Sequence, residues 1–141
     1  MKKNKTIYVP MGADIIHTGH LNIIKKAKKY GEIVIGLFTD SAIAEYKTLP
    51  LINYSQRLEI MKNIKGISKI IKQDTWDYSN NLNKLKPNYV IHGDDWKKGI
   101  QQKTRLNVIK LLKRWKGRLI EVPYTKKVNI NENKKSVNNI F

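Results

Sequence analysis

Apolar runs and amphipathic stretches alternate along this chain almost without exception. Thr6–Met11 reads as a buried strand, and Thr18–Tyr30 as a helix with Leu21, Ile24, Ala27 and Tyr30 recurring every three residues. Glu32–Phe38 is apolar enough to be a strand covered on both faces. Ser41–Tyr46 predicts a short helix, and 47–53 a loop carrying Pro50. Ser55 then reads as the N-cap of a helix running to about Lys65, with Leu58, Met61 and Ile64 facing inward. Short strands follow at Ser68–Lys72 and Asn88–His92, separated by a helix at Asn80–Lys86 that Pro87 ends. A last helix, Lys103–Lys116, carries Val108, Leu111, Leu112 and Trp115 on one stripe and stops at Gly117. Arg118–Val122 is a fifth strand. Strict alternation of this kind predicts an α/β protein with a mainly parallel five-stranded sheet. In such sheets ligands bind beyond the carboxyl ends of the strands. Four polar clusters fall there: 12–20, Thr39 and Asp40 with Lys47, 93–96, and Tyr124 with Thr125.

At 141 residues the chain is long enough for one domain with one core. The expected division is 1–125 as the folded domain and 126–141 as a basic, Asn- and Lys-rich tail, poorly ordered. No apolar run approaches a membrane span, and the first ten residues lack a signal-peptide core, so membrane insertion is not expected. The absence of cysteine is compatible with a cytoplasmic location. A net charge of +17 suggests nucleic acid at first sight. That reading is set aside, because Lys supplies nearly all the charge and is spread along the chain. Lys25, Lys26, Lys28 and Lys29 read as the solvated face of a helix, and no zinc-finger, RNA-binding or recognition-helix pattern is present.

His17-Thr18-Gly19-His20 is the candidate centre of chemistry. Two of the three histidines stand three apart where the first helix begins, so both rings point to one side of its first turn. The positive end of the helix dipole faces the same way, and Gly19 carries no Cβ to keep an anion off the backbone. The expectation is a phosphate pocket into which two imidazoles donate. A His-Glu-x-x-His zinc helix does not match, and with no Cys a closed structural zinc site is not expected. There is no Walker A loop and no Gly-x-Gly-x-x-Gly, so phosphate binding rests on the histidines.

With these residues in hand, the chain resembles the cytidylyltransferase family, within the nucleotidyltransferases that carry a His-x-Gly-His motif. Residues 12–20 match its first signature, Tyr54-Ser55-Gln56-Arg57 its second, and His92-Gly93-Asp94-Asp95-Trp96 its third. The stretches 44–50, 63–66 and 85–96 are most similar to phosphonate cytidylyltransferases, which act on 2-aminoethylphosphonate or a related phosphonate. The last loop of the family normally holds a Ser/Thr run, whereas Val128-Asn129-Ile130-Asn131 stands here.

The resemblance implies a single Rossmann-like three-layer domain and a nucleotidyl transfer in which a phosphonate oxygen attacks the α-phosphorus of CTP and pyrophosphate leaves. That oxygen is already ionised near neutral pH, so alignment and charge stabilisation carry the reaction. His17, His20, Lys47 and Arg57 are the expected catalytic groups, with Arg57 a bidentate phosphate partner. Gly12, Ala13, Asp14, Gly19, Gly93, Asp94, Asp95, Trp96, Tyr124 and Thr125 are expected to bind the nucleotide. Asp14 or Asp94 would meet Mg²⁺. Asp77, Tyr78 and Asp94 are the candidates for the acceptor's ammonium group. The expected partners are CTP and a small phosphonate or phosphomonoester, in a homodimer. Alternatives are a glycerol-3-phosphate or phosphocholine cytidylyltransferase, differing only in the acceptor pocket, and a weakened nucleotide-binding regulatory subunit suggested by residues 128–131.

Overall fold

The computed structural model describes residues 4–46 and 48–123. Its elements run β1 (Thr6–Met11), α1 (Thr18–Ala27), β2 (Glu32–Phe38), α2 (Asp40–Ala44), α3 (Tyr54–Lys62), β3 (Ile67–Gln73), α4 (Ser79–Leu85), β4 (Tyr89–Gly93), α5 (Gln102–Lys113) and β5 (Arg118–Val122). A 3-10 turn, Asp94–Lys97, follows β4 directly. The five strands form one sheet in the order β3-β2-β1-β4-β5, and every pairing is parallel.

The alternation of side chains along β1 explains the layering. Ile7, Val9 and Met11 face a core shared with Ile24 and Ala27 of α1 and Met61 of α3. Tyr8 faces the opposite core, built with Leu82 of α4 and Val108, Leu111 and Leu112 of α5. Both faces of β1 and β2 are therefore covered, as their uninterrupted apolar sequence predicts. Tyr8 reaches its place because Gly36 leaves room, since a Cβ there would lie 1.8 Å from the Tyr8 hydroxyl oxygen. That hydroxyl donates to Gln73 and accepts from Asn81 Nδ2 at 3.0 Å, closing a polar network inside an apolar layer.

The strand order sets the position of the site. From β1 the chain crosses outward to β2 and β3, then returns to place β4 on the other side of β1. The segments leaving β1 and β4 diverge to opposite faces, opening a crevice at their carboxyl ends. Two element ends differ from expectation. α3 starts two residues earlier than its predicted cap allows, because Asn53, not Ser55, accepts the Gln56 amide at 3.0 Å. α1 closes at Ala27 rather than Tyr30, with Lys29 and Tyr30 turning back onto Lys26 and Ala27 by tighter three-residue bonds. The proposed boundary at residue 125 lies outside the described residues.

Candidate functional site

The turn after β1 is built from the backbone outward. Ala13 is buried and sits at φ 55°, a left-handed conformation that a Cβ disfavours by roughly 1–2 kcal/mol. Such a residue persists only where its surroundings hold it. The turn delivers His17 to the N-cap of α1 in an extended conformation. His17 Nδ1 accepts the Gly19 amide at 3.0 Å, and His20 Nδ1 accepts the His17 amide at 3.2 Å. The two rings lie 4.1 Å apart, centre to centre. This is a capping box in which two histidines replace the usual hydroxyl and carboxamide.

The bonding fixes the chemistry of both rings. A backbone N–H occupies each Nδ1 lone pair, so each neutral imidazole carries its proton on Nε2. Burial pushes the pKa of His17 down. Burial, then the neighbouring His17, push His20 down to about 4. Near pH 7 the pair presents two neutral Nε2–H donors. The expectation of an anion on the Gly19 backbone is corrected here: Gly19 is buried and its amide is already given to His17. Donation into the pocket falls to the ring nitrogens.

Arg57 also departs from expectation. It is 0% exposed. Its Nη1 donates to the Gly12 and Phe38 carbonyls at 2.7 and 2.6 Å, Nε to the Ile52 carbonyl at 2.9 Å, and Nη2 to Asp40 Oδ1 at 2.8 Å. Four of the five donors are spent, so no fork remains for a bidentate phosphate. Arg57 is a brace between the ends of β1 and β2. A hint lay in the spacing: Arg57, Met61 and Ile64 share the inward stripe of α3 and its exit, a place for buried residues.

Asp14 is similarly engaged. Its Oδ2 accepts the Leu51 amide at 3.0 Å and its Oδ1 the Ile52 amide at 2.9 Å. Among the described residues no three His, Asp or Glu side chains gather as a metal site. Each Asp14 oxygen thus already answers one backbone amide, which leaves about two of the carboxylate's four lone-pair sites for another partner.

After β4, Gly93 lets the chain turn tightly, with Asp95 Oδ1 only 2.9 Å from where a Cβ would stand. Asp94 and Asp95 open the 3-10 turn at the carboxyl end of β4, the strand that pairs with β1. Trp96 is 1% exposed, stacks on His92 at 3.6 Å and donates from Nε1 to Glu121 at 2.8 Å. Its ring is therefore core, and the expected place of Trp96 among the nucleotide-binding residues is corrected to a supporting one. Glu121 is gripped by Arg105 through bonds of 2.9 and 3.1 Å, which hold its carboxyl below the usual range. This Arg105–Glu121–Trp96–His92 chain went unread in the sequence, because its members come from four separate elements. His92 donates from Nδ1 to the Gly93 carbonyl at 2.8 Å if it carries its proton there, and burial lowers its pKa.

Of the acceptor candidates, Asp77 accepts the Ser79 amide at 2.9 Å and the Ser79 hydroxyl, shaping the start of α4. Tyr78 is fully buried, with its ring 6.5 Å from Tyr8 and 6.4 Å from Trp96, so it offers no open aromatic face. Its hydroxyl has no hydrogen-bond partner among the described residues. Lys47, Tyr124, Thr125 and residues 128–131 lie outside the described residues.

Comparison with known proteins adds to this geometry. A family model described as Cytidylyltransferase-like matches residues 13–138. An FAD synthase from Archaeoglobus fulgidus is 31% identical over 100 residues, 67% of this chain and 73% of that protein. The ethanolamine-phosphate cytidylyltransferase of Dictyostelium discoideum is 30% identical over 96 residues, 67% of this chain but only 27% of that protein. The crystal structure of a lipopolysaccharide core biosynthesis protein from Thermoplasma volcanium superposes with a TM-score of 0.75 at 19% identity, covering 88% of this chain and all of that one. That likeness shows the fold. No helix among the described residues is long and apolar enough to cross a membrane.

Proposed function

The chain belongs to the cytidylyltransferase-like family of nucleotidyl-transferring enzymes, and on that premise we propose that it joins CMP from CTP to a small phosphonate, releasing pyrophosphate. The observation that carries the reading is the histidine pair: two Nε2–H donors, locked by backbone caps, at the crevice between β1 and β4. In the transfer, an ionised phosphonate oxygen displaces pyrophosphate from the α-phosphorus, and negative charge builds on the oxygens around it. Donors fixed before the reaction stabilise that charge without reorganising, which is where rate is gained. Lys47 is proposed to act on the same charge, and Mg²⁺ enters as part of the Mg·CTP substrate. Gly93, Asp94 and Asp95 are proposed to border the nucleotide from the β4 side. A cytoplasmic homodimer is the proposed setting.

The distribution of charge supports an acceptor that carries an ammonium group. Six of the eleven acidic residues (Asp14, Asp40, Asp74, Asp77, Asp94 and Asp95) follow the carboxyl end of a strand by at most four residues, in a chain with 28 Lys and Arg. Acid is thus gathered at the rim where ligands enter, beside the lysines Lys72 and Lys97. Asp94, directly after the carboxyl end of β4, is proposed to meet the ammonium of 2-aminoethylphosphonate.

A second reading is FAD synthesis from a flavin phosphate and ATP. It is favoured by the larger share of the FAD synthase that the chain spans, 73% against 27% for the ethanolamine-phosphate enzyme. A thermal-shift series with Mg·CTP, Mg·ATP and Mg·GTP separates the readings, because a ligand that binds only the native state must raise its melting temperature. The proposal expects the largest shift with CTP; a larger one with ATP favours the second reading.

A further inference from the structure

We infer that Asp14 and Arg57 form a two-sided lock that makes the histidine turn and the segment before α3 move as one body, and that both are positioning residues for the transfer. The inference rests on the reading above for its link to the reaction. Ile52 is held at both polar atoms of its backbone: its amide by Asp14 at 2.9 Å and its carbonyl by Arg57 at 2.9 Å. The opposite side is held as well. Arg57 takes the Gly12 carbonyl at 2.7 Å, and Asp14, two residues on, reaches back to 51 and 52. Ala13, at φ 55°, lies between these two anchor points. A shift in either segment breaks bonds made by the other.

The lock is tied to the rigid frame. Arg57 also holds the Phe38 carbonyl at the end of β2, and its charge is answered by Asp40, whose side chain is 40% exposed. A buried guanidinium that meets three carbonyls and one carboxylate is costly to disturb from any side. The histidines begin three residues after Asp14, so the lock sets where the two Nε2–H groups stand. A displacement of about 1 Å in such donors can cost on the order of a hundredfold in rate.

Hydrogen exchange on the full chain tests this, with the variants Arg57→Lys and Asp14→Asn. In the native protein the Leu51 and Ile52 amides, in an irregular segment, are expected to exchange roughly tenfold to a hundredfold slower than free amides, because each is bonded to a carboxylate. The lock predicts that Arg57→Lys, although residue 57 touches neither amide, releases both. It predicts the reciprocal effect in the milder Asp14→Asn: faster exchange of the Gly19 amide, which Asp14 does not touch. Unchanged protection of Leu51 and Ile52 in Arg57→Lys, or of Gly19 in Asp14→Asn, overturns the lock; if Arg57→Lys does not fold, the Gly19 result decides alone. In the transfer assay, Asp14→Asn is expected to lower kcat about tenfold or more with the Mg²⁺ requirement unchanged. A raised Mg²⁺ requirement would make Asp14 a metal ligand and overturn its positioning role. If the native protein transfers no cytidylyl group, the proposed function fails while the exchange results still judge the lock.

Discussion

The two jobs of the histidine pair can be separated by substitution. His17→Ala removes the cap on the Gly19 amide, a bond of 3.0 Å, and also the Nε2–H donor. Loss of an N-cap costs roughly 0.5–2 kcal/mol, which for a domain of this size lowers Tm by roughly 2–8 °C. Loss of one preorganised donor costs roughly a hundred- to a thousandfold in turnover. His17→Asn separates these effects, because Asn is among the best N-caps and restores a side-chain acceptor for the amide. Likewise His20→Gln can answer the His17 amide, as the third helical residue does in an ordinary capping box. The double variant His17→Asn/His20→Gln is therefore expected to melt within about 2 °C of the native protein. It is also expected to lose at least about a hundredfold in CTP-dependent pyrophosphate release. Thermal melting and a coupled pyrophosphate assay on the same preparations give both numbers. A double variant that is stable and retains turnover within threefold of native would show that the histidines only cap the helix, and the site assignment would fall.

The remaining predictions concern stability and the supporting residues. Burial holds His20 at about 4 in the folded protein, below the 6.5 of an exposed imidazole, so the unfolded chain binds the proton more tightly. The stability this group contributes is present above pH 6.5 and is lost as pH falls towards 4, on the order of 2 kcal/mol for a partly exposed ring; urea titrations should show a smaller acid loss in His20→Gln, and equal losses would contradict the cause given. Gly36→Ala places a Cβ 1.8 Å from the Tyr8 hydroxyl oxygen and is expected to destabilise by about 1–3 kcal/mol, read as a lower urea midpoint. Trp96→Phe keeps a ring against His92 but loses the bond to Glu121, so it should cost about 1–2 kcal/mol while leaving the KM for CTP within threefold. A tenfold rise in that KM would restore Trp96 as a direct ligand.

The sheet was legible because its central strands are buried on both faces, so Ile7–Met11 and Ile33–Phe38 carry an apolar signal that needs no tertiary information. The histidine turn was legible for a local reason as well: a cap and its partner three residues later belong to one turn of helix. What those rings do with their Nδ1 atoms was not, since it depends on the extended conformation of His17. Arg57 and Asp14 read as ligand groups because both stand in stretches that resemble the family's signatures. Their partners (Gly12, Phe38, Leu51 and Ile52) are backbone atoms of three other segments, and backbone atoms leave no mark in sequence. Trp96 was misread for the same reason: its partners His92 and Glu121 meet only when β4 and β5 pair side by side.

Phosphorus-31 NMR reads transfer of a cytidylyl group from CTP to a phosphonate at the bond that the transfer forms. The protein is incubated with Mg·CTP and 2-aminoethylphosphonate, then in parallel with glycerol-3-phosphate, and with Mg·ATP and a flavin phosphate. The account predicts a new pair of coupled phosphorus signals from a phosphonate–phosphate anhydride, with pyrophosphate in equal amount. It also predicts a specificity constant for the phosphonate roughly tenfold to a hundredfold above that for glycerol-3-phosphate, the value of one desolvated bond to an ammonium group. Coupled signals only with glycerol-3-phosphate, or FAD formed from ATP with no product from CTP, would contradict it.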